Sequence, residues 1–250
     1  MNKSLYDYLI LLGDSPLILG HRLSELCGHG PNLETDIALS NIALDLFGQV
    51  RNWFQYAAEI HGEGKTEDDI AFLRYEHEYR NVVLTEQPNK DFAWVIARQF
   101  YFDAFHYSLL TQLCESRDER IAAISAKSIK EVAYHRRFSS EWVKRLGDGT
   151  EESRTRMENA IAHFAMYKGE LFEETNVEKE MFSTGIGADF KLIKAQFESF
   201  TNEVLNEAGL EIPQIDWTQR GGKQGVHSEH LGYILADLQY MQRAYPGMQW

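Results

Sequence analysis

Apolar residues recur at helical spacing along most of the chain, and no stretch alternates between apolar and polar positions as a strand would. Residues 5–26 carry Leu5, Tyr8, Leu9, Leu12, Leu19 and Leu23 on one side, with Pro16 expected to kink or restart that helix. Beyond the loop Cys27-Gly28-His29-Gly30-Pro31-Asn32, the spacing predicts a long helix from Leu33 to about Ile60. Its core side is marked by Leu39, Ile42, Ala43, Leu46, Val50, Trp53, Phe54 and Ala57, and His61-Gly62-Glu63-Gly64 ends it. A polar helix is expected over about 67–85, stopped by Gln87-Pro88-Asn89. Residues 91–114 are apolar almost all round, the mark of a central, buried helix. Further helices are predicted over 118–146, from 150 to about 174, over 189–208 and over 228–244, the last two separated by an irregular stretch through Pro213, Trp217 and Gly221-Gly222.

Long helices joined by short loops, with helix 33–60 echoed by helix 118–146, indicate an all-α bundle forming a single domain over residues 1–250. At 250 residues, 44% apolar and 12% aromatic, the chain can bury a core of that size. No apolar run is long enough to span a bilayer, and the N-terminus lacks the pattern of a secretory signal. Cys27 and Cys114 stand apart from each other and from any Cys-x-x-Cys pattern, so a reducing cytoplasm is the expected location. The formal charge of −13 argues against a nucleic-acid-binding surface. Arg136-Arg137 with Lys144-Arg145 form a local basic patch, readable as a solvated helix face or as a contact for an acidic partner or a phosphate.

Two short polar cassettes carry the candidate chemistry, Asp45-Leu46-Phe47-Gly48-Gln49 and Glu131-Val132-Ala133-Tyr134-His135. In di-metal bundles of the ferritin-like class, two helices each supply a Glu-x-x-His pair and two others a lone carboxylate, all facing the core. Residues three apart on a helix lie within about 60° of each other around the axis, so both side chains reach one metal. Here the position three before His135 is Val132, and the position three before Gln49 is Leu46. The frame of a ferritin-like four-helix bundle with additional helices is kept, but apolar side chains stand where chelating glutamates are needed. Asp103, a carboxylate on the apolar helix, falls where a lone ligand would. Asp45, Gln49, Asp103, Glu131 and His135 therefore read as a vestigial pocket, a polar network satisfied by hydrogen bonds and holding no metal. The competing reading is a single ion on this reduced set. Asp103-Ala104-Phe105-His106 is the one carboxylate-x-x-His in the chain, and His106 is expected to cap a core edge or bond a backbone carbonyl.

Arg220-Gly221-Gly222-Lys223 runs into Gln224-Gly225-Val226-His227-Ser228-Glu229-His230. It lacks the order of a phosphate-binding loop. His227 and His230 with Glu229 admit a zinc reading, but no third ligand is evident; otherwise the loop docks on the bundle or on a partner, with Ser228 capping the last helix.

Over nearly its whole length the chain resembles the structural C subunits of bacterial phenylacetyl-CoA epoxidases. The resemblance is carried by Leu33-Glu34-Thr35-Asp36-Ile37-Ala38-Leu39 with Asp45-Leu46-Phe47-Gly48-Gln49, by Ile96-Ala97-Arg98-Gln99 with Asp103-Ala104, and by Ala123-Ile124-Ser125-Ala126-Lys127 with Lys130-Glu131 and Tyr134-His135. Gly221-Gly222-Lys223, His227-Ser228-Glu229-His230-Leu231-Gly232, Gln242-Arg243 and Gln249-Trp250 complete it. The resemblance implies a non-catalytic chain with no cofactor of its own, paired in a hetero-oligomer with a ferritin-like catalytic A subunit that holds the di-iron centre. It further implies a small accessory subunit and a reductase carrying FAD and an iron-sulfur cluster, fed by NADPH, and an NADPH-dependent monooxygenase acting in aerobic phenylacetate catabolism. Trp217, Tyr245 and Trp250 are candidate interface residues, with core filling as the alternative. Two other functions compete with the structural role: an active metal-dependent oxidase using the reduced ligand set, and a free-standing interaction protein.

Overall fold

The computed structural model describes residues 2–248, which form an all-α fold of the ferritin-like bundle class with no strand among the described residues. They divide into two compact units, one running to Pro88 and resuming at Arg220, the other spanning Asn89–Gln219.

The first unit is built on α1 (Lys3–Ser24) and α2 (Leu33–His61). Asn2 and Asn32 start these helices, each side chain accepting from a backbone N–H of the first turn. The pair is antiparallel, since Tyr6 meets His61 and His21 meets Phe47. Two glycines let the helices close. A Cβ on Gly13 would lie 2.3 Å from the Phe54 ring, and one on Gly20 2.8 Å from the Phe47 ring. Leu9, Ile18, Leu19, Ile42, Leu46 and Ala57 are fully buried, each large one contributing about 1.5 to 3 kcal/mol over its exposed state. α1 is one helix through Pro16 and does not restart there.

The polar helix expected over 67–85 does not form as one piece. It is α3 (Glu67–Phe72), a 3-10 turn at Glu76–Glu78 and α4 (Val83–Glu86). The reason is competition for its polar groups. The Arg74 guanidinium pairs with the buried Asp14 carboxylate of α1, the Arg80 N–H donates to Asp14 at 2.7 Å, and the Val82 N–H donates to Ser15 Oγ at 3.1 Å.

The second unit holds α5 (Phe92–Leu113) and α6 (Glu119–Gly147), capped by Asp91 and Asp118. They too are antiparallel, with Phe92 against Trp142 and Tyr107 under the Arg136 guanidinium. Against them lie α7 (Glu151–Ala165) and α10 (Phe190–Glu207), joined through α8 (Lys168–Leu171) and α9 (Asn176–Ser183). The single helix expected over 150–174 is thus divided, and α9 had no sequence expectation. It is opened by a Thr175–Glu178 capping box.

The chain returns to the first unit in α11 (Glu229–Ala244), preceded by a 3-10 turn at Gly222–Gln224. That turn sits against the 77–81 segment closely enough that a Cβ on Gly222 would fall 2.2 Å from the Asn81 carbonyl oxygen. Glu86, fully buried, locks the return. Its carboxylate accepts from His227 Nδ1 at 2.5 Å, from Asn81 Nδ2 at 2.9 Å, and from the Ser228 N–H and hydroxyl at 2.8 and 2.6 Å. Its backbone carbonyl accepts both Nε and Nη2 of Arg22. Ser228 stands at the N-cap of α11, but its hydroxyl serves Glu86 instead of the helix backbone, which corrects the expected capping role.

His227 Nε2 faces the Tyr79 carbonyl at 3.1 Å, so both ring nitrogens meet oxygens, an arrangement that favours the protonated ring. Burial alone would lower its pKa, but the hydrogen bond and charge of Glu86 and the Tyr79 carbonyl outweigh burial and raise it. A raised folded value stabilises the fold fully below the ordinary imidazole range and is lost as pH climbs through the folded value. His227→Ala is expected to lower stability by about 3 kcal/mol at pH 6, because it leaves a buried carboxylate without its countercharge. Thermal unfolding of both proteins should show the gap narrowing toward pH 9. A gap independent of pH would mean that the imidazole is neutral in the fold.

Candidate functional site

The antiparallel register of α5 and α6 places Asp103 opposite Ser139 in the core of the second unit. Asp103 is fully buried. One carboxylate oxygen accepts from Gln99 Nε2 at 2.6 Å and the other from Ser139 Oγ at 2.8 Å. Burial pushes its carboxyl up to about 7, against the opposing pull of His135, the two hydrogen bonds and Arg136. His135 is fully buried on the same face of α6, and Glu131, one turn earlier, is half-buried. Val132, between them, has no exposed surface.

His106 is also buried, and burial followed by the field of His135 lowers its pKa to about 3, so its imidazole is neutral. Its ring lies 5.1 Å from that of Phe102, and Nδ1 has no hydrogen-bond partner among the described residues. The expected bond to a backbone carbonyl is not made at that atom.

In the first unit, α2 carries Leu46 and Gln49 on its buried face, at 0% and 1% exposure, with Asp45 half-exposed beside them. Among the described residues no group of three or more His, Cys, Asp and Glu side chains is arranged to hold a metal ion. Leu46 and Val132 are fully buried, and both oxygens of Asp103 accept hydrogen bonds from protein groups.

The structure adds residues that sequence reading passed over. Gln99 and Ser139 are the partners of Asp103, and Ser125 and Ser128 are buried on the core face of α6. Their signal was present in the chain. Ser125, Ser128, Val132, His135 and Ser139 recur at three- and four-residue spacing, so serines stand at positions of a helix where aliphatic residues are expected.

The zinc reading of the 227–230 segment meets a direct obstacle, since both nitrogens of His227 are engaged by Glu86 and Tyr79 and leave no lone pair for a metal. The glycines of this stretch serve docking: a Cβ on Gly225, which has a φ of 82°, would lie 2.3 Å from the His77 carbonyl oxygen. Of the tail aromatics, Trp217 and Tyr245 are exposed, at 60% and 50%, and Trp250 lies outside the described residues. No helix among the described residues is long and apolar enough to cross a membrane.

Comparison with known proteins matches residues 1–250 to a family described as phenylacetic acid catabolic protein. The chain is 49% identical, over 250 residues and 100% of both sequences, to the C subunit of the 1,2-phenylacetyl-CoA epoxidase of Escherichia coli (strain K12). A family match that spans every residue, with 49% identity over the full length of a curated relative, establishes that the chain belongs to the phenylacetic acid catabolic protein family.

Proposed function

We propose that this chain is the structural, non-catalytic subunit of a phenylacetyl-CoA 1,2-epoxidase working in phenylacetate catabolism in the cytoplasm. In this reading it pairs with a ferritin-like catalytic subunit that carries the di-iron centre, and a flavin and iron-sulfur reductase delivers electrons from NADPH. Full-length similarity to the Escherichia coli protein supports the complex. The observation that carries the non-catalytic role is the complete burial of Leu46 and Val132 at the two positions where a di-metal bundle places carboxylates. What the chain contributes is rigidity. Iron ligands tolerate little displacement, and a large folded partner packed against the catalytic bundle fixes the shell that orients them.

The alternative, an oxidase using Asp45, Asp103, Glu131 and His135, draws on the proximity of Asp103 to His135 in one core. The two readings separate on metal content. After expression in iron-supplemented medium, the purified chain should contain far less than one iron or zinc per chain by mass spectrometry. About two irons per chain would transfer the argument to the oxidase.

If the polar network is structural, its disruption acts on stability. Asp103→Asn keeps both hydrogen bonds, with Oδ1 accepting from Gln99 and Nδ2 donating to Ser139, and removes the titration. Because the folded carboxyl is raised to about 7 from 3.8, the wild type loses stability as pH rises between those values, and the variant does not. Between pH 5 and pH 8 the variant should gain on the wild type by about 1 to 3 kcal/mol in denaturant unfolding. Turnover of the reconstituted complex should stay within about twofold. Loss of turnover with assembly and stability intact would sink the structural role. Val132→Glu should destabilise by about 3 kcal/mol or more, as measured by denaturant midpoint, since it places a carboxylate in a space shaped for a hydrocarbon.

A further inference from the structure

The outer face of α6 differs in character from the rest of this acidic protein. With 38 Asp and Glu against 25 Lys and Arg, a surface base has an excess of carboxylates to find. Lys144 of α6 finds one, Glu207, at 2.5 Å. Lys127, Lys130, Arg137 and Arg145 do not: all four are exposed, and none forms an ion pair with a carboxylate of the described residues.

Their placement follows from helix geometry. The core face of α6 is centred on Ser125, Ser128, Val132 and Ser139, and positions 127, 130, 134, 137 and 145 lie on the opposite side. Tyr134, at 40% exposure, stands in the middle of that stripe. The two arginines are positioned by aromatic rings. Arg137 lies 5.8 Å from the Tyr134 ring centre and Arg145 5.4 Å from that of Trp142, while Phe138 links Tyr134 to Trp142 in a ring ladder. Ring-supported guanidinium groups lose less freedom when a partner binds them, and Arg and Tyr concentrate binding energy at protein interfaces.

We propose that the outer face of α6 is a docking surface for an acidic protein face, one presenting carboxylates along a helix at two-turn intervals. Lys130 and Arg137 are two turns apart, about 10 Å along the axis, which matches Asp or Glu at i and i+7 of a facing helix. Charge complementarity selects such a partner over neutral surfaces and speeds encounter. Nucleic acid fits less well, because Glu141 sits within the stripe and the chain as a whole is strongly anionic. The inference rests on the subunit reading above and names the surface through which the catalytic subunit is held.

The test is association of the full-length chain with the catalytic subunit, followed by calorimetry at low and high salt. The double charge reversal Lys130→Glu with Arg137→Glu should weaken binding at least about tenfold at low salt, with the difference shrinking as salt screens it. Tyr134→Ala should weaken it at both salt levels. Lys179→Glu, an exposed reversal on α9, should bind as the wild type does. The milder pair Lys130→Gln with Arg137→Gln guards against misfolding and should fall between wild type and reversal, with helical content and melting temperature unchanged. If the wild type associates and the reversal binds equally well, the surface assignment fails and the subunit reading stands. If the wild type does not associate, both fail. Reversal-sensitive binding of a single-stranded oligonucleotide, or of a second copy of the chain, would overturn the acidic-partner assignment.

Discussion

A carboxylate taken out of water must be matched by charge or by hydrogen bonds, and the buried carboxylates Asp14, Glu86 and Asp103 show how far each match goes. Asp14 is met by the Arg74 guanidinium and a backbone N–H, and Glu86 by the His227 ring, an amide and both polar groups of Ser228. Asp103 is given only an amide, a hydroxyl and the more distant field of His135 and Arg136. The outcome scales with the countercharge. In the first unit the matched carboxylates tie residues far apart in sequence into one body, joining α1 to the 70–86 segment and that segment to the returning chain. In the second, Asp103 is left with a carboxyl raised to about 7, a group held at the margin of ionisation by its own burial.

That contrast bears on how a core of this kind holds its polar groups. A dinuclear site gathers four carboxylates in one core, tolerable only because the metals neutralise them. Without metals, the stable solution is to replace most of those carboxylates by hydrocarbon and to wrap the remainder in hydrogen bonds. In the second unit, Val132 is hydrocarbon with no exposed surface, and Gln99 with Ser139 wraps the Asp103 carboxylate in hydrogen bonds.

Much of this was legible in the chain. Helices α2, α6, α10 and α11 follow apolar periodicity because their stability comes from one continuous buried face, and α5 shows as a run apolar almost all round because it is buried on every side. The burial of Leu46, Val132 and Asp103 was readable from the helical positions they occupy. The 67–85 segment was misread because its backbone is satisfied by Asp14 and Ser15, some sixty positions earlier, and local pattern carries no trace of such a bond. Glu86 escaped notice for the same physical reason. It stands in a polar stretch before Pro88 that reads as a helix end, and its partner His227 lies 141 positions away.

The surface of this bundle is uneven in charge. The outward faces of most helices are acidic or mixed, while α6 turns bases and a supported aromatic ladder outward from the very helix whose inner face carries His135 and Val132. One helix thus presents two faces under separate constraints, because residues half a turn apart share no neighbours. Substitutions at Val132 or Ser128 alter packing without touching Lys130 or Arg137, so the packing of the inner face and the charge of the outer face can vary independently along one helix.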